Sequence, residues 1–249
     1  MKRIFIPILA LLFGLSLSAA GQPESSTILA TTSWTAAFAH LAGVDAALLA
    51  PYEMQHPSEY ELKPSDMALV GNAEMIVFAG YENMVGKIQE NAGSDTTQMV
   101  QITTVMNQAT MEESVMKIAA AAGTEEEARK NLDEMSKLLE SSRAELDKAG
   151  YKGQKAVVHF FQQAFAREMG FEVVAVYGPQ PLQAAQIGEI AALEADIIID
   201  NWHNAVSQPL QEVLPYAKSV EWINFPGKGE TETLFDVVEY NIAQLKAES

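Results

Sequence analysis

The chain has 249 residues, 48% of them hydrophobic, which is enough apolar material for one large α/β domain or two smaller ones. Its formal net charge of −17 would repel phosphate backbones and argues against nucleic acid as a partner. The absence of cysteine excludes disulfide bonds and a cysteine-linked lipid anchor.

The first twenty residues have the pattern of a signal peptide. Lys2 and Arg3 precede an apolar run, and Ser18-Ala19-Ala20 offers the small residues that suit a signal peptidase. The run is shorter than the roughly eighteen residues of a membrane-spanning helix. We therefore expect residues 1–20 to be removed and the mature chain to be soluble, in the periplasm or otherwise secreted.

Strand and helix signals alternate through residues 21–123, which predicts a first α/β lobe with a parallel sheet. The predicted strands are 26–31, 46–50, 75–79 and 98–103. The predicted helices are 33–41, one that begins at Pro64, 81–90 and 111–122. Ser33 or Thr35 is expected to cap the first helix, and Gly123 to end the last one.

A long charged helix is predicted over residues 124–149, where the alternation stops. Its apolar positions recur at helical spacing: Ala128, Leu132, Met135, Leu139 and Leu146. Thr124 and Glu127 have the spacing of a capping box at its start.

The alternation resumes in residues 150–249 and predicts a second lobe. Its strands are expected at 156–158, 173–176, 197–199 and 220–223, and its helices at 161–169, 182–193, 207–216 and 233–246. The predicted fold class is therefore α/β, with two Rossmann-like lobes of parallel sheet joined by one long helix.

Three of the four histidines lie in a loop or directly after a strand-like run, where open α/β sheets build their sites. These are His56, His159 and His203, whereas His40 lies within a predicted helix and is expected to be structural. Neutral imidazoles suit Zn²⁺, which they bind at about 2.0–2.1 Å. The three histidines therefore predict a metal site, although their spacing forms no compact motif.

Acidic residues near these histidines are candidates to complete the site. Glu59, Glu82 and Asp200 could each complete the coordination shell or hydrogen-bond a ligating imidazole and fix its tautomer, and Glu82, Glu59 or a water molecule is expected as the fourth metal ligand. Trp202, beside His203, is expected to pack between the lobes.

The motifs of common enzymes are absent from the sequence. It contains no Gly-x-Ser-x-Gly elbow, Gly-rich phosphate loop, His-Glu-x-x-His helix or catalytic cysteine. Three histidines and a water can also form a catalytic zinc centre, so a secreted zinc-dependent hydrolase or lyase stays open beside a metal carrier.

Several segments resemble the zinc- and manganese-binding solute-binding proteins of metal ABC importers (cluster A-I, zinc-uptake type). Tyr60-Glu61 and Pro64-Ser65-Asp66 are similar to the first ligand loop of that family and the helix after it. Residues 72–80 resemble the strand that follows, and Phe165-Ala166-Arg167 after His159 resembles its third ligand segment. The resemblance extends over nearly the whole mature chain, including the C-terminal helix.

The resemblance implies a rigid connecting helix and a metal site in the cleft between the lobes. It also implies a monomeric carrier, without enzymatic activity, that delivers its ion to a membrane permease. Zn²⁺ is the expected cargo and Mn²⁺ the alternative. An adhesin-like surface protein with the same fold is a further alternative.

The chain departs from the family at the ligand positions. Ser58 occupies the first position, with His56 two residues earlier, and Asn107 lies near the second position without a histidine. Asn224 falls near the fourth position, and His203 is expected to replace a lost ligand. These departures also leave open an organic ligand in the same cleft.

Overall fold

The computed structural model describes residues 27–92 and 97–246, so the predicted signal peptide lies outside the described residues. The described chain forms two parallel sheets of four strands each, with helices packed on them. The predicted α/β class with two lobes is confirmed.

The first lobe contains a sheet in the order β2-β1-β3-β4. Its strands are β1 (Ile28–Ala30), β2 (Ala47–Leu48), β3 (Met75–Phe78) and β4 (Gln98–Gln101). Its helices are α1 (Ser33–Leu41), α2 (Pro64–Gly71), α3 (Val85–Asn91) and α4 (Gln108–Ala122). All four residues of β3 are buried, as expected for a parallel strand covered on both faces.

The second lobe repeats this topology, with strand order β6-β5-β7-β8. Its strands are β5 (Lys155–His159), β6 (Glu172–Tyr177), β7 (Ile197–Asn201) and β8 (Lys218–Trp222). Its helices are α6 (Gln163–Glu168), α7 (Ala184–Ala191), α8 (Gln208–Val213) and α9 (Leu234–Lys246). The carboxyl ends of β1 and β3 in one lobe, and of β5 and β7 in the other, lead into the loops that line the cleft.

The long helix is α5 (Glu125–Lys148), which lies between the two sheets in sequence. It buries the apolar side chains of Ala128, Met135, Leu139 and Leu146. These side chains belong to one hydrophobic cluster that also contains residues of α1, α4 and α9 and of both sheets. The connector is therefore packed into a core shared by both lobes, which should resist wide bending between them.

The predicted cap of α1 is wrong, and the predicted cap of α5 has the right residue but not the predicted capping box. The cap of α1 is Thr32, whose Oγ1 accepts from the backbone N–H of Thr35 at 3.3 Å, and Thr35 Oγ1 accepts in return from the N–H of Thr32 at 3.0 Å. Thr124 forms no side-chain cap on α5, because its hydroxyl donates to the carbonyl of Ala42 at 2.7 Å. A tertiary contact to the end of α1 thus replaces the local contact.

Hydrogen bonds join the lobes across the cleft. Tyr52 Oη donates to the carbonyl of Thr231 at 2.5 Å, and Gln55 Nε2 donates to the carbonyl of Trp202 at 3.0 Å.

Within the described residues, no helix combines the length and the apolar character needed to cross a membrane.

Candidate ligand-binding cleft

A cleft of about 1050 Å³ lies between the lobes and is lined by residues of both. Much of its wall is aromatic or amide in character. The aromatic residues on it are Trp34, Tyr81, Phe160, Phe161 and Phe225. The cleft is therefore a broad, partly apolar space rather than a narrow cage.

Three of the five predicted metal ligands line this cleft. His56 immediately precedes, and Glu59 ends, a short 3₁₀ turn (Pro57–Glu59) of the first lobe. His203 lies on a similar turn (Trp202–Asn204) that directly follows β7 in the second lobe. His159 and Glu82 are buried and do not line the cleft.

The described residues contain no group of three or more His, Asp or Glu side chains placed to hold a metal ion. His56 and His203 are nevertheless close enough to interact electrostatically, although they come from opposite lobes. The structure thus places one imidazole from each lobe on the wall of the same cleft, and the ligand roles of all five residues stay predictions.

His203 is buried under an aromatic ring. Its imidazole packs against Phe225 with ring centroids 3.5 Å apart, and the ring of Trp202 meets it edge-on. Burial lowers the pKa of His203 to about 3, with smaller contributions in the same direction from His56 and Lys228. His203 is therefore neutral at physiological pH, which is the form that binds metals or accepts hydrogen bonds.

Neither ring nitrogen of His203 has a hydrogen-bond partner among the described residues. Asn224 lies near enough to oppose this lowering of the pKa of His203, although the two side chains do not meet hydrogen-bond geometry. The imidazole therefore keeps its bonding capacity on the cleft wall.

His159 ends β5 beneath the cleft and is fully buried. Its Nδ1 accepts from the backbone N–H of Phe161 at 3.2 Å, which leaves the proton of the neutral ring on Nε2. Nε2 has no partner among the described residues. Burial lowers the pKa of His159, against an opposing effect of Asp200.

Gly178 covers His159 so closely that a side chain cannot fit. Its φ is +72°, and an added Cβ would lie 2.5 Å from His159 Nε2. We expect Gly178→Ala to lower the free energy of unfolding by roughly 2 kcal/mol or more, from left-handed backbone strain plus displacement of the imidazole.

Urea denaturation tests this effect, with Gly188→Ala as the control. Gly188 lies within α7, and an added Cβ would meet nothing within 4 Å. The control should be neutral or stabilising by about 0.5–1 kcal/mol, because alanine favours a helix over glycine. Equal stability of the two variants would contradict the close contact at His159.

Two buried acids organise the loops around the cleft. Glu82 accepts three hydrogen bonds in the loop after β3. Asp200 accepts from the N–H groups of Asn201 at 2.8 Å, Val206 at 3.1 Å and Ser207 at 2.8 Å. Asp200 therefore holds both ends of the turn that carries His203. It forms no hydrogen bond to a histidine nitrogen among the described residues, so the predicted contact that would orient an imidazole is absent there.

Two buried amides lie on the cleft wall. Sequence reasoning did not single out Asn201 as a site residue, and it placed Asn224 only near the fourth family position. Asn201 Oδ1 accepts from Gln162 Nε2 at 2.9 Å, while Asn201 Nδ2 has no partner among the described residues. Asn224 Oδ1 is likewise buried and unpartnered there. The position of Asn201 at the carboxyl end of β7 was the available signal for a site residue.

Asn107, which the family resemblance would put near the second ligand position, has a structural role. It is the N-cap of α4, and its Oδ1 accepts from the N–H of Thr110 at 2.9 Å. Its carbonyl oxygen is already engaged, although the residue lines the cleft.

No protein-family model matches the chain, and no curated protein is significantly similar to it. Several solved structures are similar to this chain in fold. The SBP FpvC from P. aeruginosa, in complex with Ni²⁺, has a TM-score of 0.66 at 16% sequence identity, and the match covers 88% of this chain and 94% of that chain.

The periplasmic metal binding protein from Candidatus Liberibacter asiaticus is similar to nearly the same degree. Its Mn-bound form has a TM-score of 0.63 at 16% identity, and its Cd-bound form has a TM-score of 0.63 at 15% identity. Each match covers 88% of this chain and 98% of that chain. The chain therefore has the fold of these periplasmic metal-binding proteins, with its broad cleft between the two lobes.

Proposed function

We propose that the chain is an extracytoplasmic solute-binding protein that captures a divalent transition metal and delivers it to the permease of an ABC importer. The observation that supports this most is that His56 and His203, from opposite lobes, both line the wall of one cleft. A ligand held by both residues would bridge the lobes, so a small displacement would release it.

Zn²⁺ is the proposed cargo and Mn²⁺ the alternative. Imidazole nitrogen suits zinc, whereas manganese prefers oxygen ligands such as the carboxylate of Glu59. The similar structures contain Ni²⁺, Mn²⁺ or Cd²⁺, which supports a divalent ion without selecting one.

We further propose that the protein works as a monomer outside the cytoplasm and catalyses no reaction. The sequence pattern of a signal peptide supports export, and the absence of common enzyme motifs from the sequence supports a binding role. The similar structures are binding proteins, which agrees with this proposal.

Metal analysis of the mature chain, exported with its own signal and purified without chelators, tests the proposal. We expect about one zinc or manganese per chain, and a fall to below roughly a tenth of that in the double variant His56→Ala/His203→Ala, since coordination is the main source of affinity. His40→Ala is the matched control, because His40 is exposed on α1 and does not line the cleft. Metal-free parent protein, or full metal content in the double variant, would overturn the proposal.

A further inference from the structure

The cleft does not have the shape of a site for a bare ion. Zn²⁺ is held by four donors at about 2.0–2.3 Å, so its complete ligand sphere is only about 4–5 Å across. The cleft holds about 1050 Å³, and the described residues place no three acidic or imidazole side chains together in it. Organic ligands occupy sites of about 300–1,000 Å³.

The apolar residues of the cleft are unusually exposed. Tyr81 is 53% exposed and Val105 40% in the first lobe, and Phe160 is 49% and Phe161 39% in the second. Exposed apolar groups that converge on a cleft are typical of ligand sites. Aromatic surface contributes nothing to the coordination of an ion, so these side chains indicate an organic surface in the bound cargo.

The rings form two aromatic walls. On one, Trp34 contacts both Tyr81 and Phe225, with ring centroids 6.4 Å and 5.3 Å apart. On the other, Phe160 and Phe161 meet edge to face at 5.5 Å. A flat conjugated molecule offers such walls the most contact, because aromatic rings stack on planar π-systems.

Buried polar atoms on the cleft wall lack partners. The side chains of Asn201, His203 and Asn224 are at most 4% exposed, yet each has at least one nitrogen or oxygen without a hydrogen-bond partner among the described residues. Leaving such an atom unpaired costs about 1–3 kcal/mol. A polar ligand that reaches them would restore these bonds.

A single positive charge stands at the edge of the cleft. Arg167 is exposed, and its guanidinium has no hydrogen bond or ion pair within the described ranges. The neighbouring Glu168 is already paired with Arg143. In a chain with net charge −17, an unpaired arginine beside a cleft favours an anionic group on the ligand.

We propose that the metal enters the cleft as a complex with a small, planar, anionic chelator. The chelator lies against the aromatic walls with a carboxylate or similar group toward Arg167. His56 and His203, from opposite lobes, then supply coordination bonds at the open positions of the metal, with Glu59 as a further donor. This inference rests on the proposed function, since it concerns how the same cargo is presented.

Calorimetric titration of the metal-stripped chain tests this with defined probes. The probes are free Zn²⁺, pyridine-2,6-dicarboxylate, 1,2-dihydroxybenzene-3-carboxylate and the 1:1 zinc complex of each chelator. We expect at least one zinc complex to bind 10-fold or more tightly than free Zn²⁺ and than its chelator alone. If free Zn²⁺ binds as tightly as its complexes or more tightly, the chelator inference is wrong but the proposed metal carrier is supported. If no probe binds, both the chelator inference and the metal-carrier proposal are wrong.

Matched variants locate the complex. Arg167→Gln and Phe161→Ala should each weaken its binding about 10-fold, because each removes one proposed contact. The controls are Arg129→Gln, on α5, and Tyr216→Ala, an exposed ring; neither residue lines the cleft, and both variants should bind as the parent does. Equal affinity in all four variants would place the complex elsewhere and overturn the inference.

Discussion

Replacing Glu82 by alanine is expected to lower the free energy of unfolding by about 3–5 kcal/mol. The buried carboxylate accepts from the hydroxyl of Thr31 at 2.6 Å and from the backbone N–H groups of Ala79 at 2.9 Å and Gly80 at 2.7 Å. Its loss leaves these donors unpaired, at about 1–3 kcal/mol each with partial relief by water. Urea denaturation at neutral pH measures the effect.

Glu90→Ala is the control for this prediction, because Glu90 is exposed on α3. Its effect should stay within about 0.5 kcal/mol, as for ordinary surface changes. An equally mild effect at Glu82, combined with loss of bound metal, would instead assign Glu82 the ligand role that the sequence predicted. Large destabilisation identifies it as the residue that ties the loop after β3 to the end of β1.

Lowering the pH from 7.5 to 4.5 is expected to cost the native state roughly 2–3 kcal/mol through His203 alone. Burial holds its folded pKa near 3, below the ordinary value of 6.5. Between these values the unfolded chain binds a proton that the folded chain does not, so stability falls as the pH falls, by about 1.4 kcal/mol per pH unit. Above about pH 7.5 the effect vanishes, because the imidazole is then neutral in both states.

The comparison between parent and His203→Gln isolates this contribution from the carboxylates that titrate in the same range. Denaturant unfolding at several pH values should give the variant a shallower loss of stability between pH 6.5 and 4.5. His159 acts in the same direction, because burial lowers its pKa too. Parallel pH profiles of parent and variant would show that His203 is accessible to protons in the folded state.

Local sequence determined the elements of the fold well, because their signals are short-range and periodic. The apolar runs at Met75–Phe78 and Ile197–Ile199 became buried central strands. The apolar stripe of α5 became its buried face, and Gly123 ends α4 in the left-handed conformation, with φ of 73°. Each of these outcomes follows from side-chain periodicity or from backbone sterics within a few residues.

Three of the five candidate ligands lie on cleft-lining loops, as expected where parallel sheets build sites at the carboxyl ends of their strands, and their ligand roles stay predictions. His56, Glu59 and His203 do line the cleft. The sequence could not reveal that His159 points into the protein beneath Gly178, or that His203 lies under Phe225. Those contacts join residues whose separation carries no periodic signal.

Tertiary structure alone decided which polar groups form hydrogen bonds inside the protein and which remain available to a ligand. The hydroxyl of Thr124 bonds the carbonyl of Ala42 instead of capping its own helix. The carboxylate of Glu82 accepts from the hydroxyl of Thr31. Asn201, which no sequence motif marks, and Asn224, which only the family resemblance marks, are buried amides on the cleft wall with unpartnered atoms among the described residues. A polar side chain bonds whichever partner packing brings within about 3 Å, and that choice is made only when distant segments come together.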